Sequence, residues 1–292
     1  MTLLCLLIAS GAIAQERTES GYLMNWSGDL RVEPGTITNG RWSLNGHTIT
    51  IHEADAKTAL DLWKQEYKAQ GATIAGSNPA KATNVSIAGI SSTPLLVLAT
   101  VTTGSTKGDA RLTLAYCASD STNVDGTVNV ESLMHDLAVK LNRAVVQRQI
   151  DEQQEVVDRY VGKVEDAQRD QAKAQKRAAD ANDDLEKAKK EKSKLSARQA
   201  EIQSDIQKYQ ERYNRTQSPA DLKKLTKAQQ DLVDVQKDMS KQMKKEADAQ
   251  KDANAQQGDL PDAQEDQNKY QSAKEKATIE LEALKRKLEA VR

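Results

Sequence analysis

From Ile150 to Tyr213 the chain keeps one heptad register for 64 residues without a slip. With Ile150 as position a, the a series is Ile150, Val157, Val164, Gln171, Ala178, Leu185, Lys192, Gln199, Ile206 and Tyr213. The d series is Gln153, Tyr160, Ala167, Ala174, Ala181, Ala188, Leu195, Ile202 and Tyr209. Fifteen of these nineteen sites are apolar, out of 21 apolar residues in the whole stretch. Such a stripe is buried only against another helix, so the register predicts a long coiled coil. The alanines at d (Ala167, Ala174, Ala181, Ala188) allow close backbone approach but bury little area, which makes the middle the expected weak section. Gln171, Lys192 and Gln199 at a positions set the register at some loss of stability.

The helix has no stop signal upstream, so one helix is expected from about residue 129 to 214, near 130 Å long at 1.5 Å per residue. A break is expected at residues 214–219. There Ser218 reads as N-cap, Pro219 as the first helical residue and Asp221 as an acid in the first turn. Leu222, Leu225, Leu232, Val235, Met239 and Met243 form a second, less tidy stripe. A softer break at 257–262, around Gly258 and Pro261, precedes a third helix with Tyr270, Ala277, Leu281, Leu284, Leu288 and Val291 on one face. The return segments 219–257 and 262–292 total 70 residues against 64 in the registered stretch. Equal arms about a short turn are what an antiparallel hairpin needs. The expected seam comprises Ile150, Val157, Tyr160, Val164, Leu185, Leu195, Ile202, Ile206, Tyr209 and Tyr213 on one arm, with Leu225, Leu232, Met239, Leu281, Leu284 and Leu288 on the other. A parallel dimer kinked at Pro219 is the alternative.

Ahead of the coiled coil, assigned to 147–292, residues 41–146 read as a small α+β domain. Trp42 and Leu44 alternate, Asn45-Gly46 is a two-residue turn signal, and Thr48 to Ile51 is strongly β-forming. Ala56, Ala59, Leu60, Trp63 and Tyr67 recur at helical spacing before Gly71. Val85–Ala88, Leu95–Val101 and Leu112–Tyr116 read as strands, and a second helix opens near Asn129 with Leu133, Leu137, Leu141 and Val145 inward. The order predicts an antiparallel sheet covered on one face by two helices. The expected core is Trp42, Ile49, Ile51, Leu60, Trp63, Tyr67, Leu96, Leu98, Leu112, Leu114, Leu137 and Leu141. Residues 15–40, rich in Gly, Ser, Thr, Asn and charge, read as a weakly ordered lead-in.

Residues 1–14 read as an export signal, an apolar run ending in Ala12-Ile13-Ala14, with Gln15 as the new N-terminus. That run is too short to span a bilayer of about 30 Å, so no membrane-spanning segment is expected after cleavage. Cleavage leaves Cys117 as the one cysteine, which its neighbours Leu114, Ala115 and Tyr116 mark for burial. Charge is uneven. Residues 1–130 carry 9 Lys/Arg and 11 Asp/Glu, and residues 131–292 carry 33 and 32. A dense but neutral mixture is the solvated surface of a long helix, and it argues against nucleic-acid binding.

The chemistry-bearing residues form no catalytic constellation. His52, Glu53 and Asp55 match no zinc spacing, and a polar cluster capping the helix near Ala54 is the better reading. Gly104 to Gly108 lacks the spacing of a phosphate loop and reads as a hairpin turn. Trp26, Trp42 and Trp63 could line a pocket, though core packing explains Trp42 and Trp63 more simply.

These features predict an exported, non-enzymatic structural or interaction protein of a bacterial periplasm or cell envelope. Its coiled coil would act as a spacer or scaffold, with no cofactor and with a protein partner or self-association. A compact body bearing a helical arm resembles, in outline, the seventeen-kilodalton periplasmic chaperones, and that resemblance implies a holdase that clasps unfolded outer-membrane proteins. Those chaperones are strongly basic, whereas this chain has a formal net charge of −1. A ligand-binding head domain is the third reading.

Overall fold

The computed structural model describes residues 16–87, 90–104, 106, 108–124 and 130–292. The expected export signal therefore lies outside the described residues. The chain divides into two compact units, one comprising the chain up to Arg159 together with Glu275–Arg292, the other Tyr160–Lys274.

The first unit is built on a seven-stranded antiparallel sheet. Its strands are β1 (Glu33–Asn39), β2 (Trp42–Ile51), β3 (Thr73–Ala75), β4 (Ala80–Val85), β5 (Leu95–Thr103), β6 (Ala110–Ser119) and β7 (Thr122–Asn123). They lie in the order β1-β2-β6-β5-β4-β3, with β7 paired to β6. Helix α1 (Ala56–Ala69) follows β2, and the first turns of α2 (Val130–Thr216) follow β7. Both pack on one face. The Tyr116 hydroxyl of β6 lies 3.4 Å from that of Tyr67 on α1 and donates to the Met134 sulfur on α2. Alternate residues of the sheet meet those helices: Ile49, Ile51, Val97, Ala99, Leu112 and Leu114 are all buried beneath them. On the other residues of the alternation, Ile37, Leu44, Leu98, Ala115 and Cys117 form a second buried cluster with Leu96 against it.

Several local expectations change. The stretch 15–40 contains β1, with Ile37 1% exposed in that second cluster, so its latter part is sheet and not lead-in. The hairpin turn lies at Gly40-Arg41, where Gly40 has φ +62°, and Asn45-Gly46 sits inside β2 paired with Gly35 and Thr36. Gly46 is needed for clearance: a Cβ there would stand 2.4 Å from the Leu114 carbonyl oxygen of β6. Trp42, expected in the core, is 44% exposed with Arg41 over its ring. Of the strand expected at Val85–Ala88, Val85 ends a strand that starts at Ala80, Ser86 and Ile87 follow it, and Ala88 lies outside the described residues; β3 has no counterpart in the sequence reading. On α2 the buried line is Met134, Ala138, Leu141, Asn142 and Val145, one step round from the expected Leu133 and Leu137, which are half-buried. Asn142 accounts for the rotation. Its side chain accepts from the His52 amide at 2.8 Å and donates to the Thr50 carbonyl at 3.0 Å, capping the end of β2 with a buried polar group.

The second unit is an antiparallel pair, α2 from Tyr160 onward against α3 (Pro219–Ala290) as far as Lys274. The turn is where the sequence puts it, between Thr216 and Pro219. Every a and d position from Val164 to Tyr213 is buried or half-buried. Helix α3 carries a matching register: Asp221, Leu225, Ala228, Leu232, Val235, Met239 and onward, in alternate steps of four and three, to Val291, none of them exposed. That register explains the main correction. No break exists at 257–262; α3 is one helix with Pro261 inside it. Proline removes one N–H and crowds a carbonyl, a cost of about 3 kcal/mol. Leu260 and Ala263 keep the seam spacing across it, and Ala253 two turns before Leu260 is 1% exposed. Packing on both sides holds the helix through the defect.

Candidate functional site

The seam residues named from sequence all face inward, within whichever unit holds them. Ile150, Val157, Val164, Leu185, Leu225, Leu281 and Leu284 are buried. Tyr160, Leu195, Ile202, Ile206, Tyr209, Tyr213, Leu232, Met239 and Leu288 are half-buried. In the hairpin unit three polar seam positions find partners across the pair. Lys192 Nζ lies 2.8 Å from Glu246 Oε2, Gln242 donates to the Ala188 carbonyl at 3.0 Å, and Gln171 donates to Gln264. Lys163 Nζ stands 5.4 Å from the ring centres of both Tyr160 and Tyr270. At the tip Thr216 Oγ1 donates to Asp221 Oδ2 at 2.9 Å, the Ala220 amide donates to Ser218 Oγ at 3.3 Å, and Gln217 takes the left-handed conformation at φ 49°. Ser218 thus covers one of the first free amides of α3, and the Thr216–Asp221 bond ties the two arms at their junction.

In the first unit the end of α3 is held by a polar cluster. Lys287 is 2% exposed; its ammonium donates to Glu53 Oε1 at 2.6 Å, to the Leu23 carbonyl at 2.8 Å and to Gln149 Oε1 at 3.0 Å. All three protons of the ammonium are used. Burial pulls its pKa below the usual 10.5, and the hydrogen bond and charge of Glu53 pull it back up. Glu53 sits at φ 52° in the turn between β2 and α1 and also accepts from Gln149 Nε2 at 3.2 Å. Next along α3, Glu280 is 3% exposed and accepts from Gln153 Nε2 at 3.1 Å and from the Glu19 amide at 3.0 Å. Tyr22 donates to Glu152, and burial followed by that carboxylate raises the phenol to about 12. Segment 19–23, the β2–α1 turn, α2 and α3 are therefore joined by charged hydrogen bonds in covered positions. Sequence reasoning missed this cluster, although a signal exists: Glu280 and Lys287 fall on the buried line of Ala277, Leu284 and Val291.

The other candidates resolve into structural roles. Asp55 caps α1, accepting from the Thr58 amide at 2.7 Å, and that bond holds its carboxyl below the usual value. His52 Nδ1 lies 3.2 Å from Asp109 Oδ2, its Nε2 3.0 Å from the Asp29 carbonyl, and Trp26 meets its ring edge-on at 5.4 Å. His52, Glu53 and Asp55 point to three different partners and share no centre. Gly104 donates to the Asp109 carbonyl at 2.7 Å, closing the β5–β6 turn; Ser105 and Lys107 of the supposed loop lie outside the described residues. Cys117 is buried, and burial pushes its thiol to about 11. Trp26, Trp42 and Trp63 do not share a pocket: Trp63 is fully buried beside Tyr67, Trp42 is on the hairpin turn and Trp26 is against His52. A groove of about 200 Å³ between Tyr67, Tyr116, Leu133 and Leu137 is smaller than the usual 300–1,000 Å³ of a ligand site. Among the described residues no helix is long and apolar enough to cross a membrane.

No protein-family model matches this sequence, and no curated protein is significantly similar to it.

Proposed function

We propose that this chain is an exported, non-enzymatic structural or interaction protein whose coiled-coil hairpin serves as a spacer or scaffold in the bacterial cell envelope. The observation that carries the reading is the closed seam. Two registers, each unbroken and running in opposite directions, cover one another's apolar stripes, and the polar seam positions pair across the hairpin at Lys192–Glu246 and Gln242–Ala188. A hairpin that satisfies itself in this way keeps its form without a client. A holdase arm would instead carry apolar surface for an unfolded chain. In the hairpin unit the exposed large apolar side chains are Leu222, Val233 and Met243, set singly along α3.

Expression of the full chain in a bacterial host, with osmotic-shock fractionation and limited trypsin digestion, tests the reading. The expected product is a periplasmic protein starting at Gln15 whose hairpin resists trypsin despite its many exposed lysines. Retention of an uncleaved chain in the cytoplasm overturns the envelope placement. Rapid reduction of residues 160–274 to small peptides overturns the scaffold.

A further inference from the structure

The outer surface of the hairpin unit is divided by charge. Each residue one step after a seam position of α3 is exposed: Leu222, Thr226, Gln229, Val233, Gln236 and onward in steps of four and three to Gln271. None of those fifteen residues is charged, although residues 222–271 contain 19 charged side chains in 50. Six are Gln and two are Asn. The equivalent stripe of α2, from Val161 to Asn214, has sixteen positions, of which only Glu165, Glu186 and Lys189 are charged. The positions one step before the seam behave in the opposite way. On α2, all sixteen positions of the flanking c and g series from Lys163 to Arg215 are charged.

In an antiparallel pair the residues that follow the seam on each helix lie on the same side of the pair. The contacts agree. Gln257 of the α3 stripe donates to Asn182 of the α2 stripe at 3.5 Å. On the opposite side, Arg177, Asp180 and Asp184 of α2 share a groove with Lys245, Asp248 and Asp252 of α3. One side of the hairpin is a field of mixed charge and the other a nearly uncharged field of amides, hydroxyls, small residues and single apolar side chains.

We propose that the uncharged side is a self-association surface that seats the same side of a second copy of this chain, related by a two-fold axis. A charge taken out of water costs several kcal/mol unless it is paired, so a side meant to be covered excludes charge, whereas a side meant for water has no reason to. Carboxamides are donors and acceptors at once, so a surface of Gln and Asn is complementary to itself. The area suffices. About 50 residues at 1.5 Å give some 75 Å of helix pair, roughly 1,400 Å² per copy for two helix widths, against about 800 Å² per partner in a standard interface. Two of the three charges locate the axis. Glu186 and Lys189 are opposite in sign and flank the midpoint of the α2 stripe, so an axis crossing the hairpin there sets Glu186 of each copy against Lys189 of the other. Glu165 then meets Gln210 of the second copy. The same axis passes the midpoint of the α3 stripe, at Ala247.

This inference deepens the scaffold reading and rests on it, but the two fail separately, since a monomeric chain can still be exported and resist trypsin. Sedimentation equilibrium of the full chain up to about 100 µM is expected to give a dimer with a micromolar dissociation constant, the polarity of the surface keeping affinity moderate. Val233 and Met243 are 55% and 54% exposed, so Val233→Glu and Met243→Glu leave helicity unchanged. Each is expected to weaken the dimer at least tenfold. Lys245→Gln, on the charged side, is expected to leave it intact. Glu186→Lys is expected to weaken the dimer and Glu186→Lys/Lys189→Glu to restore it. A monomer throughout the range, or a dimer indifferent to both Glu substitutions, overturns the proposal; failure of the charge swap to restore affinity overturns the position of the axis.

Discussion

Replacing Glu53 by Gln removes one carboxylate from beside an ammonium that is otherwise completely covered. In the native protein Lys287 has three acceptors, and Glu53 is the only charged one. Breaking a buried pair from one side typically costs 3–5 kcal/mol. Two acceptors survive the change and the Glu53 side chain is 20% exposed, so the loss should be about 2–3 kcal/mol. Its pH dependence identifies its origin. Burial already holds Lys287 below the usual 10.5, and without Glu53 the opposing influences are gone, so its folded pKa falls further. Between that value and 10.5 the unfolded chain binds a proton the folded chain holds less tightly, so stability rises with pH across the window. The deficit of Glu53→Gln relative to the native protein is therefore largest at neutral pH and shrinks toward about pH 9.5. Urea unfolding followed by tryptophan fluorescence measures it selectively, because Trp26, Trp42 and Trp63, the three tryptophans of the chain, belong to the unit that contains Lys287. A deficit under about 0.5 kcal/mol at pH 7, or one of equal size at both pH values, would refute the assignment of a buried ion pair.

Pro261→Ala restores one amide to a helix that is already continuous, and should stabilise the hairpin by about 2–3 kcal/mol, read as a raised midpoint in thermal unfolding followed by circular dichroism. An unchanged or lowered midpoint would mean that the chain turns at residues 257–262. With Cys5 replaced by Ser, the Cys117 thiol should resist a thiol reagent at neutral pH until the protein is unfolded, because it is covered and its pKa is pushed to about 11. Rapid labelling of the folded protein would contradict its place in the Ile37–Leu98 cluster.

The long helices were legible because a heptad register is a periodic signal that tolerates individual exceptions. Lys192, Gln171 and Gln199 stayed in phase on the buried line despite their polarity. The same rule was available for α3 and was obscured by Gly258 and Pro261, which are local signals of a break; the spacing from Ala253 through Leu260 to Ala263 outweighed them. In the sheet the local signals were weaker still. Asn45-Gly46 is a turn pair wherever the chain is free to turn, yet here the close approach of β6 uses the glycine for clearance. Strand β1 was hidden by its composition, Glu-Pro-Gly-Thr-Ile-Thr-Asn, in which Ile37 is the single large apolar residue. The Lys287 cluster was illegible as a set because Leu23, Glu53, Gln149 and Lys287 come from four separate segments.

The sequence by itself determined that two helices would pair, where they would turn, and which side chains would enter the seam, since each of these follows from short repeats in which neighbours three and four apart share a face. It also contained, unread, the separation of charged from uncharged sides. Tertiary structure alone decided which strands pair, that α3 passes through Pro261 unbroken, and that Lys287 meets Glu53 across 234 residues. Those outcomes depend on contacts between distant segments, whose energies exceed local preferences of about 1–3 kcal/mol per residue and leave no periodic trace in the chain.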